Sequence, residues 1–392
     1  MMISVKEAAI LINENCNNPR VEQVPLLEAT GLILAETVYS TIDTPPFNQS
    51  AMDGYAFSYD DWDGAGSLHI VSEVQAGNFT SDVLNPLEAI RIYTGAPLPL
   101  GADTVIMQEK VCVNEKTLTI SDLNFTKGCS VRLRGSQTKK GEAVLMDGQL
   151  LTPAAISFLA GVGILNLKIY SNPGISIIAT GNELIKPGSN ISNGKIFESN
   201  SYGLTAALNQ IAISPVFVDV VVDDEKKIID SITKQLHSDM IILTGGVSVG
   251  DYDFVEKALE KCGVRKIFHG VKQKPGKPFY FGKYNQTLVF ALPGNPAAAM
   301  TCFYEYIVPA ISKFTKRKYF NFLELPLKDD YRKKPGLTFY LKGKTCDKAV
   351  SILENQESYM MNSFALADCL VELVEEREFY KKGDLVNVKM IV

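Results

Sequence analysis

The run Met240-Ile241-Ile242-Leu243-Thr244-Gly245-Gly246-Val247-Ser248-Val249-Gly250-Asp251-Tyr252-Asp253 decides the fold. An apolar run this short reads as a buried strand, three glycines make a loop, and a helical pattern follows from about Tyr252 to Lys261. The same strand–loop–helix phrase recurs on both sides. Ile175-Ser176-Ile177-Ile178-Ala179 ends in Thr180-Gly181, with a helical pattern after Asn200. Val216–Val222 ends at Asp223-Asp224 before a helix from about Glu225 to Leu236, and Thr287–Leu292 ends in Pro293-Gly294-Asn295-Pro296 before a helix to about Ile311. Continuous apolar strands alternating with helices predict a largely parallel sheet buried on both faces. Such sheets bind ligands at the carboxyl ends of their strands, so the four strand-end loops are the first place to look for chemistry.

Outside this α/β stretch, residues 44–145 are rich in Gly, Pro and short β-prone runs such as Ala89–Tyr93 and Thr104–Met107, which predicts a mostly β module. The last segment, 321–392, with Cys369–Leu373 and Leu385–Val388, reads as a small β domain. The flanks 1–43 and 146–173 lie on either side of the β module, so that module is expected to be an insertion into a scaffold built by both flanks. The fold class is α/β plus β in several domains, with the α/β domain at 174–320. Ser4 and Glu7 have the spacing of a capping box and mark an N-terminal helix.

Composition narrows the function. With 46% hydrophobic and 21% charged residues each domain can bury a core, and 392 residues suggest two to four domains. A net charge of −5 gives no electrostatic footprint for nucleic acid or an anionic membrane, and no apolar run is long enough to span one. Seven scattered cysteines without C-x-x-C argue against a zinc ribbon or a disulfide framework and for a reducing compartment, hence a cytoplasmic location. Three widely separated histidines leave little room for a His-rich metal site or a His-centred triad, so carboxylates, lysines and backbone amides must carry the chemistry.

Each strand-end loop has a functional and a plain reading. Thr180-Gly181-Asn182-Glu183-Leu184 puts a carboxylate beside a glycine that admits close backbone approach, although Glu183 could equally solvate a loop. The Gly245-Gly246…Gly250 loop can form a nest of amides for an anion at a helix N-terminus, with Asp253 in the first turn and Asp251 a candidate N-cap. It is neither a Walker A nor a G-x-G-x-x-G sequence. Asp223-Asp224, with Glu183 and Asp253, would converge on one sheet edge, where an anionic substrate calls for a hard cation such as Mg²⁺; the plain alternative is ordinary helix N-terminal acid. Lys272-Gln273-Lys274-Pro275-Gly276-Lys277-Pro278 presents three ammonium groups on a rigid loop suited to phosphate or oxyanion, or simply a solvated face. Pro296 sits where a helix tolerates proline at its first position. In the β module Asp53-Gly54 reads as a turn.

Together these stretches resemble the molybdopterin molybdenumtransferase family, the MoeA-like proteins that include the gephyrin E domain. The resemblance is carried by Ser50-Ala51-Met52-Asp53-Gly54-Tyr55-Ala56, Thr94-Gly95-Ala96-Pro97, Thr180–Leu184, Gly245–Gly250, Lys274–Pro278 and Pro293–Pro296, in family order over roughly residues 1–320. It implies an elongated homodimer whose subunits combine a three-layer, MogA-like molybdopterin-binding α/β domain with the inserted β module and a small C-terminal β-barrel. It also implies the reaction: adenylylated molybdopterin and molybdate give molybdenum cofactor and AMP, with Mg²⁺. Carried over by motif, Glu183, Asp223 and Asp253 serve metal or substrate, and Asp53 and Thr94 come from the partner subunit. Thr180, Gly245, Gly246, Ser248 and Gly250 hold substrate, while Lys274, Lys277, Pro293, Gly294, Asn295 and Pro296 line the oxyanion side. The adenylyltransferase and downstream molybdoenzyme factors are further expected partners.

The chain departs from the pattern at Asn182, where the family has an acid, and at Ser136-Gln137, where it has an acidic pair. Two other readings stand beside the first. An adenylyltransferase or nucleotide pyrophosphatase would share the α/β domain alone and would not need the Asp53 and Thr94 motifs. A non-catalytic scaffold of the gephyrin type would be favoured by a long disordered linker or an added trimerising domain, and the sequence has neither.

Overall fold

The computed structural model describes residues 2–246 and 254–392. The chain divides into two compact units, one of Met1–Glu22, Gly31–Ile33 and Tyr170–Val392, the other of Gln23–Thr30 and Leu34–Ile169.

The first unit is built on a six-stranded sheet. Its strands are β1 (Ile175–Thr180), β2 (Phe217–Val221), β3 (Met240–Thr244), β4 (Arg265–His269), β5 (Tyr280–Tyr284) and β6 (Thr287–Leu292), in the order β2-β1-β3-β6-β5-β4. The four strands expected from sequence are parallel. Two antiparallel strands, β5 and β4, extend the sheet on one side. Side chains alternate between two cores, as period-2 geometry requires. Ile175, Ile177, Met240, Ile242, Leu288 and Phe290 face one, and Ile178, Ile241, Leu243, Val289 and Ala291 the other.

Helices cover both faces, giving three layers. The first core receives α1 (Val5–Asn15), α2 (Asn200–Gln210), α5 (Pro296–Cys302) and α6 (Val308–Thr315), with a π-helical turn Phe303–Ile307 joining the last two. The second core receives α3 (Glu225–Gln235) and α4 (Phe254–Lys261). Helix α1 carries the capping box read from sequence, with Ser4 Oγ accepting from Glu7 N and the Glu7 carboxylate accepting from Ser4 N. Sequence grouped this helix with the flanking scaffold; here its apolar face, Ala8 and Ile12, packs into the α/β core, and Lys313 Nζ donates to Asn13 O at 3.1 Å.

The C-terminal strands form a sheet in the order Gln273–Lys274, Thr338–Cys346, Cys369–Leu373, Leu385–Met390, Phe322–Pro326, with Ala349–Ile352 paired to Thr338–Cys346. A bridge between Leu327 and Val350 brings the two ends together around Leu341, Val350, Val371 and Val388, which makes a small barrel. The first strand of that sheet is the lysine segment, Gln273 pairing Thr338 and Lys274 pairing Phe339.

The second unit holds a six-stranded sheet in the order Thr104–Met107, Gly54–Phe57, Glu88–Ile92, Leu68–Val74, Thr117–Ile120, Val111–Asn114, around Tyr55, Phe57, Ile90, Val105 and Ile106. This is the mostly β module expected from its turn-rich sequence. All seven cysteines are free thiols, and no helix of the described residues is long and apolar enough to cross a membrane.

Candidate functional site

Strand order reverses at β1, which has β2 on one side and β3 on the other, so the loops after β1 and β3 diverge and leave a crevice at their carboxyl ends. A cleft of about 600 Å³ opens there. Its walls come from Thr180, Glu183 and Leu184 after β1, Thr244, Gly245 and Gly246 after β3, and Pro293, Gly294, Asn295 and Pro296 after β6. Three strand-end loops named from sequence therefore meet in one place.

Local chemistry explains the shape. Gly245 and Gly246 adopt φ of +95° and +59°. A Cβ on Gly245 would lie 2.1 Å from Thr180 O, and one on Gly246 would lie 2.9 Å from Val255 Cγ2. Only glycine allows this backbone both its left-handed turn and its approach to β1. Asn200, at the start of α2, binds the loops together: its Nδ2 donates to Thr244 Oγ1 at 2.7 Å and to Gly294 O at 2.8 Å. Two buried polar atoms at the cleft, Thr180 Oγ1 and Asn200 Oδ1, have no hydrogen-bond partner among the described residues. Each such atom costs about 1–3 kcal/mol unless something satisfies it, and these two are placed where a ligand would.

The carboxylates differ sharply. Glu183 is exposed, with its backbone carbonyl held by Ile196 N at 2.9 Å, while its side chain makes no hydrogen bond or ion pair among the described residues. Asp223 does not line the cleft. Its Oδ2 accepts from Asn182 N at 3.1 Å, and its own N donates to Asn182 Oδ1 at 3.0 Å. Asn182, the position where the resemblance calls for an acid, thus joins two strand-end turns, and Lys195 Nζ ties Asn182 O at 2.6 Å. Among the described residues no group of three His, Cys, Asp or Glu side chains could hold a metal ion. Asp253, Ser248 and Gly250 lie outside the described residues.

The lysines are not brought to the cleft wall. Lys274 Nζ sits 5.4 Å from the centre of the Phe339 ring, and Lys277 is exposed; of that segment Pro278 reaches the cleft. In the second unit Asp53 and Thr94 meet each other: Thr94 N and Oγ1 both donate to Asp53 Oδ1 at 2.8 Å. These two bonds, the backbone one first, hold the Asp53 carboxyl below its ordinary range.

Sequence reasoning missed six wall residues: Ile196, Phe197, Glu198, Ser199, Asn200 and Tyr359. Glu198 is buried and caps α2 in place of a silent Ser199, accepting from Ser201 N at 2.8 Å. The acid three residues before a serine at a helix start was the available signal. Tyr359 belongs to the C-terminal segment, and nothing near β1–β6 in sequence announces it.

Family models match most of the chain: the MoeA N-terminal region (domain I and II) over residues 3–163, a probable molybdopterin binding domain over 176–313 and the MoeA C-terminal region (domain IV) over 324–391. A molybdopterin molybdenumtransferase of Haemophilus influenzae is 32% identical, over 99% of this chain and 98% of its own length. One from Nostoc is 33% identical over 94% of this chain and 82% of its own. A crystal structure of the molybdopterin biosynthesis MoeA protein from Pyrococcus horikoshii superposes with a TM-score of 0.86 at 28% identity, covering 100% of both chains.

Proposed function

This chain belongs to the molybdopterin molybdenumtransferase family of molybdenum cofactor biosynthesis, and from that premise we propose that its strand-end cleft takes adenylylated molybdopterin and molybdate and yields molybdenum cofactor and AMP. The observation that carries the reading is the cleft itself. A glycine cradle, two unsatisfied buried polar atoms and an unpaired carboxylate meet at the switch point of a parallel sheet. Thr180 and Asn200 orient polar groups of the substrate, and the backbone of Gly245 and Gly246 admits a phosphate at close range.

Glu183 is the protein group facing the reacting phosphates, and it needs a cation between. The described side chains do not by themselves chelate an ion, but Mg²⁺ commonly takes one or two carboxylates and completes its shell with substrate phosphates and water. Glu183 fits that role, and Asp253 is the further acid assigned by resemblance. When bound, the ion would neutralise charge on the pyrophosphate. Asp223 serves by holding Asn182, and so the Glu183 turn, in place. Asp53 and Thr94 act from the partner subunit of a homodimer. The reaction is placed in the cytoplasm, in keeping with seven free thiols.

The test is AMP release from adenylylated molybdopterin, with and without molybdate and Mg²⁺, for wild type and Glu183→Ala. Release that needs both and collapses in the variant is expected. No release by the wild type would overturn the reading, and release surviving in the variant would move the chemistry away from Glu183.

A further inference from the structure

The C-terminal segment contributes one side chain to the cleft, and the way it is delivered is unusual. Lys342 is 3% exposed, yet among the described residues its ammonium is given to no carboxylate. It donates instead to three carbonyls of one loop, Asn355 O at 2.7 Å, Met360 O at 3.1 Å and Glu357 O at 3.3 Å. Gln356 fastens the same loop, donating to Lys342 O and Leu353 O and accepting from Lys342 N. The loop is then clamped to the cleft wall: Ser358 O accepts from Ala297 N at 3.0 Å and Ala298 N at 3.2 Å, and Asn295 Nδ2 donates to Ser358 Oγ at 2.8 Å.

The residue this apparatus presents is Tyr359. It lines the cleft, is 60% exposed, and its side chain makes no hydrogen bond or ring contact among the described residues. A tyrosine held out on a rigid backbone leaves a large apolar face in water, which is unfavourable unless something covers it. The clamp also settles what the cleft offers beside it. The first amides of α5 are already taken by Ser358 O, so they do not serve an anion, and Tyr359 presents a flat ring on that side instead.

We infer that Tyr359 is a specificity-determining stacking platform for a planar nitrogen heterocycle of the bound substrate. The inference rests on the proposed reading of the cleft, because that substrate carries its phosphates between two such rings, an adenine and a pterin. The platform grips a ring while the glycine cradle and Glu183 meet the phosphates. It contributes binding rather than bond-breaking, and its hydroxyl is dispensable.

The experiment compares wild type, Tyr359→Ala and Tyr359→Phe in two assays: KM and kcat for AMP release from adenylylated molybdopterin, and equilibrium binding of AMP and of molybdopterin separately. Aromatic stacking on a base predicts that Tyr359→Ala raises KM about 5- to 100-fold with kcat within about twofold, and that Tyr359→Phe behaves as wild type. A loss of affinity confined to AMP assigns the platform to adenine, and one confined to molybdopterin assigns it to the pterin. Wild-type KM and wild-type binding of both compounds by Tyr359→Ala would overturn the inference, as would loss of kcat alone or loss in Tyr359→Phe equal to that in Tyr359→Ala. Failure of the wild type to release AMP would instead overturn the proposed function.

Discussion

Two turns leave the same edge of the same sheet, and each carries an acid. After β1 the turn ends in Glu183, whose carboxylate has no partner among the described residues at the cleft; after β2 it holds Asp223, whose carboxylate accepts from Asn182 N and lies off the cleft wall. In sequence the two look alike, acids just beyond apolar strands. The difference teaches that position at a strand end nominates a residue, whereas its hydrogen bonds decide what remains for a ligand. One acid is available for chemistry, and the other is spent on geometry.

The largest expected effect breaks the frame both turns share. Gly245→Ala puts a Cβ 2.1 Å from Thr180 O at a φ of +95°, so it should lower stability by about 3 kcal/mol and abolish AMP release. Chemical denaturation and the release assay check this together. Next, Glu183→Ala should cut kcat/KM about 100-fold or more while leaving the unfolding midpoint unchanged, since its side chain supports nothing else. A drop in the midpoint as large as that of a core substitution would erase the contrast with Asp223.

Asp223→Ala and Asn182→Ala should each cost about 1 kcal/mol, and the double variant about as much as either single one, because the bonds are reciprocal. Additive losses in a double-mutant cycle would show the pair is not coupled. Activity in these variants should fall less than in Glu183→Ala. The smallest effect concerns Asp53, another acid tied down by its neighbours. Its folded pKa is lowered, so its turn gains stability that is present above the ordinary carboxylate pKa of about 3.9 and is lost as pH falls through the depressed value. An NMR titration should show Asp53 protonating below that value in wild type and nearer to it in Thr94→Val.

Much of this was legible beforehand, for identifiable reasons. Three of the four parallel strands, β1, β3 and β6, are buried on both faces, so Ile177, Ile242 and Phe290 stand in nearly continuous apolar runs. Strand β2, at the sheet edge, leaves Val218 and Val220 exposed. Strands β4 and β5 were not read, because Lys266 and Lys283 interrupt theirs, β5 taking its place from β6 and β4 from β5. Thr180, Glu183, Gly245 and Pro293 through Pro296 were found because parallel topology sends every strand end to one edge. Asn200 acts through side-chain bonds to Thr244 and Gly294, far away in sequence, and no local pattern encodes those partners, whereas Glu198 caps α2 only three residues away. Lys274 looked like an anion ligand by charge and rigidity, yet its backbone is consumed in pairing with Phe339.

Helix α1 has one more consequence. Ala8 and Ile12 belong to the core completed by α6, and Lys313, which bonds Asn13, lies 300 residues downstream. A ribosome adding about 5–20 residues per second needs roughly 15–60 s to cover that distance. For that interval α1 waits with its apolar stripe uncovered. The α/β core can therefore close only after α6 has been made, and until then this stripe is the kind of surface that aggregates unless it is covered.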